Sequence, residues 1–345
     1  MVDIANQPTD LVEVLRAADE LAAADRYRDA VDLLAAAERR TPDARLASRL
    51  VGLRHEAVGP AGELNRRAAA HPPIRAYPAP ADPGIPEVDR DGLTAEVLGS
   101  ALQHRGSVLV RGWLSADVAG ELREQVAKAL SVGGAAMAEG RASDPPWFER
   151  FEPHESYDVE GFGRVFTHWV QSLLTVDSPR ALARVVDAMR DAGTGELLQE
   201  YLGEWPVLSA KKSTLRRAYG SSPNGWHQDG AFLGPYTKTV NTWIALTPCG
   251  VDAPSIDMVV HGFDEIVETG TDDARFDWSV GDAVIERLGL RVERPVFEPG
   301  DALFFNQMSL HRSGIEPTMT GERVAIESWF FAPSTCPSEQ IPLLF

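Results

Sequence analysis

The sequence contains few thiols and no long apolar run, and both absences restrict its class. Its 345 residues include two cysteines, Cys249 and Cys336, which are too few for a disulfide scaffold or a cysteine-rich zinc module. No apolar run approaches the roughly 20 residues that span a bilayer, and no charged-then-apolar signal segment opens the chain. We therefore expect a cytoplasmic protein that has no membrane partner.

Basic charge is scarce as well. The chain has 33 lysines and arginines against 51 aspartates and glutamates, a formal net charge of −18. Because nucleic-acid binding needs a basic face that neutralises phosphates, this balance argues against a nucleic-acid partner. Only four of the basic residues are lysines, and two of these, Lys211 and Lys212, are adjacent.

Residues 1–70 show the apolar spacing of amphipathic helices, interrupted by a short turn at residues 24–26. Small residues recur where two helices would touch, and Pro42 follows the second helix, so the segment resembles one tetratricopeptide repeat. Repeats of this kind need about three units to stand alone. We expect a helical hairpin that docks on the rest of the chain or on a second subunit, as in a homodimer. A groove for a partner peptide is the alternative.

The remaining chain is divided by composition into a linker and a second domain. Six prolines predict a stiff, extended linker over residues 71–92. Residues 93–345 are expected to form one domain, in which helices begin after Ser115 and Ser178 and one ends at Gly203. Strands are predicted over roughly 207–217, 240–247, 255–260, 301–306 and 323–331, and in pieces over 283–297. The pattern predicts a mainly β fold with flanking helices and a closed or double-sheet core.

The segment around His227 and Asp229 indicates a metal site. In an extended segment residues two apart project to the same side, so these two side chains can converge while Gln228 faces away. His311, just beyond a predicted apolar strand, is the candidate third ligand, with His261 as the alternative. Two histidines and one carboxylate leave three open positions, which is typical of non-haem Fe(II) oxygenases.

Arg323 lies twelve residues after His311 and opens an alternating apolar strand. If the cosubstrate is 2-oxoglutarate, its keto-acid end chelates the iron and its far carboxylate favours a bidentate guanidinium. The strand that Arg323 begins is expected to return beside the strand that precedes His311. We therefore interpret Arg323 as the residue that holds the distal carboxylate.

These residues together resemble the phytanoyl-CoA dioxygenase family. The resemblance covers roughly residues 93–333 and rests on His227-x-Asp229, the segment Pro299-Gly300-Asp301-Ala302-Leu303-Phe304-Phe305, His311-x-Ser313-Gly314 and Arg323. It implies a double-stranded β-helix of jelly-roll, cupin-like form, with Fe(II), 2-oxoglutarate and O2 as cofactors. It also implies Ser313 and Thr242 as weaker contacts of the cosubstrate.

The resemblance further implies oxidation of a small-molecule substrate. Related halogenating enzymes carry a small residue where this chain has Asp229, so hydroxylation of an unactivated C–H bond is the favoured outcome. By analogy, an enzyme of this kind suits bacterial natural-product biosynthesis. The alternatives are a hydroxylase of a peptide or carrier-bound substrate recognised by the N-terminal helices, and a non-catalytic scaffold on a degenerate oxygenase fold.

Two further groups of residues are interpreted as substrate contacts. Strand alternation places Lys212 and Arg216 on one face, where one inward cation would meet a substrate or cosubstrate carboxylate. A solvated edge strand protected by its cations is the alternative. Trp226, Phe232 and Trp243 are candidates for the pocket wall. The aromatic stretch over residues 147–169 is interpreted either as a lid or as core packing.

Overall fold

A computed structural model describes residues 10–67, 75–157, 164, 172–222, 225–271 and 273–345. The N-terminal helices are α1 (Leu11–Ala23), α2 (Tyr27–Arg40), α3 (Ala44–Glu56) and the short α4 (Glu63–Arg67). Asp10 caps α1 by accepting a hydrogen bond from the Val12 amide, and Asp43 caps α3 in the same way. Asp25 takes the left-handed conformation, with φ of 59°, in the turn between α1 and α2. The predicted helical hairpin is confirmed.

The other helices are α5 (Ala95–Arg105), α6 (Ala116–Ala138), α7 (Pro179–Asp191), α8 (Thr194–Leu202), α9 (Gly230–Leu233) and α10 (Asp282–Leu288). Ser115 caps α6 through the Val118 amide, at 3.3 Å, and Pro179 occupies the first turn of α7. Gly203 ends α8 with a positive φ of 82°. None of the helices in the described ranges is long and apolar enough to cross a membrane.

The N-terminal helices dock on the rest of the chain through buried polar contacts. Glu38, fully buried on α2, pairs with Arg180 at 2.7 Å and with Arg184 at 3.0 Å, both on α7. From α3, the Arg54 guanidinium donates to the Leu344 carbonyl at 2.7 Å. The hairpin thus packs on its own chain. The division into residues 1–70, 71–92 and 93–345 stays a prediction.

The strands are β1 (Glu87–Asp89), β2 (Ser107–Arg111), β3 (Ser143–Asp144), β4 (Phe148–Glu149), β5 (Leu173–Leu174), β6 (Val207–Ser209), β7 (Thr214–Ala218), β8 (Thr239–Ala245), β9 (Ser255–Val259), β10 (Val292–Glu293), β11 (Ala302–Phe305), β12 (His311–Gly314), β13 (Arg323–Phe331) and β14 (Pro342–Leu344). The larger sheet has the order β1-β2-β11-β8-β13-β6-β14, with β7 on β13 and β5 on β7. The smaller sheet has the order β10-β9-β12, and β3 pairs with β4.

The two main sheets face each other, and side chains from both sheets meet in the space between them. Phe305 of the larger sheet contacts His311 of the smaller one, with ring centroids 4.7 Å apart. Arg323 of the larger sheet donates to the Ser255 carbonyl of the smaller one at 2.8 Å. The predicted double-stranded β-helix core with flanking helices is thus the fold of this chain.

Two predicted strands are wrong in detail. The strand expected over 207–217 is broken into β6 and β7 by a turn, in which the Lys212 amide donates to the Ser209 hydroxyl at 3.0 Å. Most of the segment 283–297 forms α10 and the two-residue β10. Val284 and Leu288 lie four residues apart, which fits a helical face better than a strand.

The aromatic stretch over 147–169 is described only in part. Phe148 and Phe151 are buried and belong to the main hydrophobic core. Phe162, Phe166 and Trp169 lie outside the described residues. For the described part, core packing is therefore the outcome.

Candidate metal centre

Two histidines and one aspartate meet between the sheets. His227 and His311 form an isolated antiparallel bridge, in which each backbone amide donates to the other's carbonyl at 2.9 and 3.0 Å. Their ring centroids lie 4.3 Å apart. With Asp229 they form a group whose ligand atoms all lie within 4.8 Å of one another. His261 is exposed and packs edge-on against Phe263 instead.

Asp229 reaches the group from a turn and not from a strand. Its backbone is right-handed helical, with φ of −61° and ψ of −22°, and it precedes the first residue of α9. Gln228 faces away, as the spacing indicated. Its amide donates to the Met308 carbonyl and accepts from the Val267 amide, both at 2.7 Å. The turn is thereby fixed to the segment that leads into β12.

Both imidazoles present Nε2 to the centre. The Nδ1 atom of His227 lies 2.9 Å from the Gly225 carbonyl, and that of His311 lies 3.0 Å from the Ser309 carbonyl. Because a carbonyl oxygen only accepts, Nδ1 carries the proton in each ring. Nε2 then keeps a lone pair, which is the form that ligates a metal ion. Burial, followed by the neighbouring His311, lowers the pKa of His227 to about 4, so this ring is neutral at pH 7.

The two oxygens of Asp229 have different surroundings. Oδ1 accepts from the Lys212 ammonium at 2.6 Å. Oδ2 is buried, has no hydrogen-bond partner in the described part of the chain, and lies 3.8 Å from His311 Nε2. Burial raises the pKa of Asp229, but Lys212 and the two histidines outweigh it, so the net shift is downward. One carboxylate oxygen and two imidazole nitrogens therefore offer unused lone pairs, and this donor set fits a ferrous ion.

Arg323 is buried at the start of β13, with 2% of its surface exposed. Its Nη1 donates to Ser255, its Nε has no partner within the described residues, and its Cζ lies 5.4 Å from the Trp243 ring centroid. Burial, followed by Arg216, lowers its pKa to about 10, so it remains charged at pH 7. No carboxylate of the described ranges forms an ion pair with it. A buried guanidinium without such a partner fits an anionic ligand.

The spacing along β12 relates Arg323 to the histidines. Ser255, which Arg323 contacts, pairs with Gly314, three residues beyond His311. At strand spacing this corresponds to about 10 Å. Arg323 thus lies at the far end of the same inter-sheet space.

The inward cations of β7 and its preceding turn pair with protein carboxylates. Arg216 contacts Glu327 at 2.6 Å, and Lys212 contacts Asp229. Burial raises the pKa of Glu327, but Arg216 and Lys212 outweigh it and bring that pKa to about 2. Each of the two cations thus meets a carboxylate of the chain itself, and the contact of either one with a substrate or cosubstrate carboxylate stays a prediction. On the side of β7 away from β13, β5 pairs only with Thr214 and Leu215, so the alternative of an edge strand stays open for Arg216.

The two weaker cosubstrate contacts lie on different faces. Ser313 is two residues beyond His311 in β12 and shares its face. Thr242 is buried on the opposite face of β8 from Asn241 and Trp243, because successive strand residues alternate. Asn241 donates to Glu327 at 3.3 Å, on the inter-sheet side. The assignment of Thr242 as a cosubstrate contact is therefore corrected.

Of the predicted wall residues, Phe232 lies near the centre. Its ring centroid is 4.4 Å from the Lys212 ammonium and 6.0 Å from the Trp278 ring. Trp243 lies at the Arg323 end, against Phe297. Trp226 belongs to a separate apolar cluster, and its indole donates to Asp282 at 2.9 Å.

Sequence reasoning missed two aromatic contacts. Trp278 meets the His227 ring edge-on at 5.4 Å, and Phe305 meets the His311 ring at 4.7 Å. Phe305 closes the apolar strand before the third ligand, so its position could have indicated the contact. Trp278 lies in a long acidic segment that carries no motif.

Comparison with known proteins gives a family match. Residues 102–318 match the model for phytanoyl-CoA dioxygenase. The matched range includes His227, Asp229 and His311 and ends five residues before Arg323. No curated protein sequence matches the chain significantly.

Solved structures with similar folds include the following three proteins. The non-heme alpha ketoglutarate dependent carbocyclase SnoK from nogalamycin biosynthesis is 16% identical, with a TM-score of 0.47 over 70% of this chain and 85% of SnoK. EctD from S. alaskensis, solved with 2-oxoglutarate and 5-hydroxyectoine, is 15% identical, with a TM-score of 0.47 over 78% and 86%. EvdO2 from Micromonospora carbonacea var. aurantiaca, complexed with 2-oxoglutarate, is 15% identical, with a TM-score of 0.43 over 67% and 88%.

Proposed function

The chain belongs to the phytanoyl-CoA dioxygenase family, and on that premise we propose that it is a non-haem Fe(II)- and 2-oxoglutarate-dependent dioxygenase. One observation carries the proposal: three buried or half-buried ligand atoms with unused lone pairs converge between the sheets. His227 Nε2, His311 Nε2 and Asp229 Oδ2 would hold the iron. When bound, iron with 2-oxoglutarate and O2 supplies the oxidising power that breaks a substrate C–H bond.

The rest of the site would bind and orient the cosubstrate. Arg323 would hold the distal carboxylate, because its charge is buried without a carboxylate partner in the described part of the chain. Ser313, on the same face as His311, would add a weaker contact. Trp243 packs its ring beside the guanidinium and limits the positions that Arg323 can take.

Aromatic rings around the triad would exclude water. Phe305 packs against His311 and Trp329, and Trp278 packs against His227 and Phe232. Exclusion of water from an oxidising site limits side reactions of the protein itself. These rings support a substrate small enough to enter between the sheets.

The finer proposal is hydroxylation of an unactivated C–H bond in a small molecule, in bacterial natural-product biosynthesis. Asp229 supports oxygenation over halogenation, because its carboxylate occupies the position that a halide would need. Desaturation and ring closure use the same residues and are distinguished by product mass: plus one oxygen for hydroxylation, minus two hydrogens for the other two.

The alternative of a tethered peptide or carrier substrate is disfavoured by the docking of the N-terminal helices. Their inner faces pack on α7 and β14 through Glu38, Arg54 and His55. Those faces are therefore used within the chain. The alternative of a non-catalytic scaffold is disfavoured by the retained triad and Arg323.

The test is an anaerobic titration. Adding 2-oxoglutarate to the Fe(II)-loaded protein should produce a visible charge-transfer band, since the keto acid chelates the iron. His311→Ala should lose the band, together with at least about a hundredfold in Fe(II) affinity, because it removes one of three ligands. A wild-type protein that binds Fe(II) without developing the band would refute the cosubstrate assignment.

A further inference from the structure

We propose that Lys212 is a positioning residue that restricts Asp229 to ligation through one oxygen, and so keeps the coordination positions for cosubstrate and O2 open. This inference rests on the proposed function and adds a residue to it. The reason lies in how Lys212 is held and in which oxygen it occupies.

Lys212 is fixed at both ends. Its backbone amide donates to the Ser209 hydroxyl in the turn between β6 and β7, and that hydroxyl donates to the Gln340 carbonyl at 3.1 Å. Its ammonium lies over the ring of Phe232, at 4.4 Å, and over that of Trp329, at 5.6 Å. Cation–π contacts on two sides restrict the ammonium to one place.

From that place Lys212 contacts one oxygen of Asp229. The ammonium lies 2.6 Å from Oδ1, whereas Oδ2 has no hydrogen-bond partner in the ranges described. Oδ2 is also the oxygen paired with His311 Nε2 at 3.8 Å. The carboxylate therefore presents a single free oxygen to the two imidazoles.

The number of coordination positions on the iron explains why a single free oxygen of Asp229 matters. Two imidazole nitrogens and one carboxylate oxygen would occupy three of six positions around a ferrous ion. A chelating keto acid needs two more, and O2 needs the last. If Oδ1 were also free, Asp229 could chelate through both oxygens and compete for a position that the reaction needs.

The positive charge of Lys212 distinguishes a role in positioning Asp229 from a role in stabilising the bound metal. An ammonium close to a divalent cation repels it, so Lys212 does not favour metal binding by its charge. Removing Lys212 should therefore leave metal affinity equal or higher while it weakens the cosubstrate. A merely structural lysine would change both in the same direction, through loss of folded protein.

The experiment compares Lys212→Met with wild type, using Mn(II) as the metal and 2-oxoglutarate as the second ligand, both measured by calorimetry without oxygen. We expect Mn(II) affinity to be unchanged or higher and 2-oxoglutarate affinity to fall by about tenfold or more, which corresponds to about 1.4 kcal/mol of binding free energy. A crystal of Mn(II)-loaded Lys212→Met should show both Asp229 oxygens at ligand distance, and wild type should show one.

Two variants serve as controls. Lys211→Met removes the same charge one residue away and should bind both ligands as wild type does. Lys212→Arg keeps a cationic donor and should restore most of the 2-oxoglutarate affinity. If Lys212→Met does not fold, Lys212→Ala takes its place in the same measurements.

Several results would overturn the inference. These are wild-type 2-oxoglutarate affinity in Lys212→Met, a parallel loss of Mn(II) and 2-oxoglutarate, or a single Asp229 oxygen on the metal in that variant. If wild type itself binds Mn(II) but no 2-oxoglutarate, the proposed function fails and the inference fails with it. If wild type binds both and Lys212→Met does not differ, the inference alone fails.

Discussion

The helical interface and the metal centre each bury an arginine, and the two arginines differ in their place in the fold. Arg54 and Arg323 are 1% and 2% exposed, and each donates through Nη1 to one backbone carbonyl. Burial lowers the pKa of each to about 10. After burial, the next largest influence on each pKa is a like charge, from Arg190 on Arg54 and from Arg216 on Arg323. Nearby carboxylates favour both charges, Asp187 and Asp32 that of Arg54 and Glu327 that of Arg323.

The comparison shows that burial of an arginine does not by itself identify a ligand site. Arg54 extends from α3 to β14, where it joins the hairpin to the rest of the chain. Arg323 lies on the inter-sheet face of β13, which also carries Glu327 and Trp329. The position of the residue in the fold decides which of the two is available to a cosubstrate.

The largest expected effect separates the two arginines directly. Arg323→Ala should weaken 2-oxoglutarate by about a hundredfold, because removing one partner of a buried charge pair costs about 2–5 kcal/mol. Fe(II) affinity should change by less than about threefold, because Arg323 is remote from the triad. The charge-transfer band measures the first affinity, and an Fe(II) titration without cosubstrate measures the second.

Arg54→Met is the matched control for that measurement. It removes a guanidinium of equal burial from the helical interface and should leave 2-oxoglutarate affinity unchanged. Equal weakening by both variants would mean that the loss follows from general loosening of the fold. Equal loss of Fe(II) and 2-oxoglutarate in Arg323→Ala would mean that Arg323 supports the triad.

The second largest effect concerns stability at the helical interface. Glu38→Gln should lower the free energy of unfolding by about 2–3 kcal/mol, because it leaves two arginines without their shared carboxylate. Arg180 and Arg184 reach solvent in part, so the loss is below that of a fully buried pair. Urea unfolding measures it, and 2-oxoglutarate affinity of the folded variant should stay at the wild-type value.

Glu20→Gln provides the comparison for Glu38→Gln. Glu20 pairs with Arg16 on the exposed side of α1, with more than 60% of each side chain accessible. Such pairs contribute about 0–1 kcal/mol. An equal effect of the two substitutions would mean that the buried carboxylate does not stabilise the docking of the hairpin.

The same two regions show what the sequence could predict. The spacing of His227 and Asp229 predicted that their side chains converge. The expected return of the strand that begins at Arg323 predicted that this residue reaches the same cavity. The contact of Lys212 with Asp229 was not predicted, because it depends on a turn at residues 210–213 that interrupts an apparently continuous strand. Thr242 was misassigned because a motif position does not state which face of a strand a residue takes.

Contacts between distant segments were beyond the sequence for a physical reason. Trp278 and His227 are brought together by the bridge between Trp226 and Val280, and nothing local in either segment encodes that pairing. The same holds for Glu38 and α7, which are more than 140 residues apart in the chain. Periodicity reports which face of an element is apolar, and it does not report the partner of that face.

The smallest expected effect is a pH dependence at the helical interface. His55 lies 3.2 Å from the Pro342 carbonyl through Nδ1 and accepts the His154 amide through Nε2 at 3.0 Å. Both contacts suit a neutral ring, and burial lowers the pKa of His55. Below pH about 6.5, His55 is protonated in the unfolded chain but stays neutral in the folded chain. The free energy of unfolding therefore falls as the pH falls.

His55→Gln removes this titration and keeps an amide that donates and accepts. The variant should be less stable than wild type at pH 7.5, and its loss of stability between pH 7.5 and 5.5 should be smaller. Urea unfolding at three pH values measures both, and the other titrating groups cancel in the difference between the two proteins. Parallel curves would mean that the proton binds elsewhere. In that case protonation of His55 would not contribute to the docking of the hairpin on the rest of the chain.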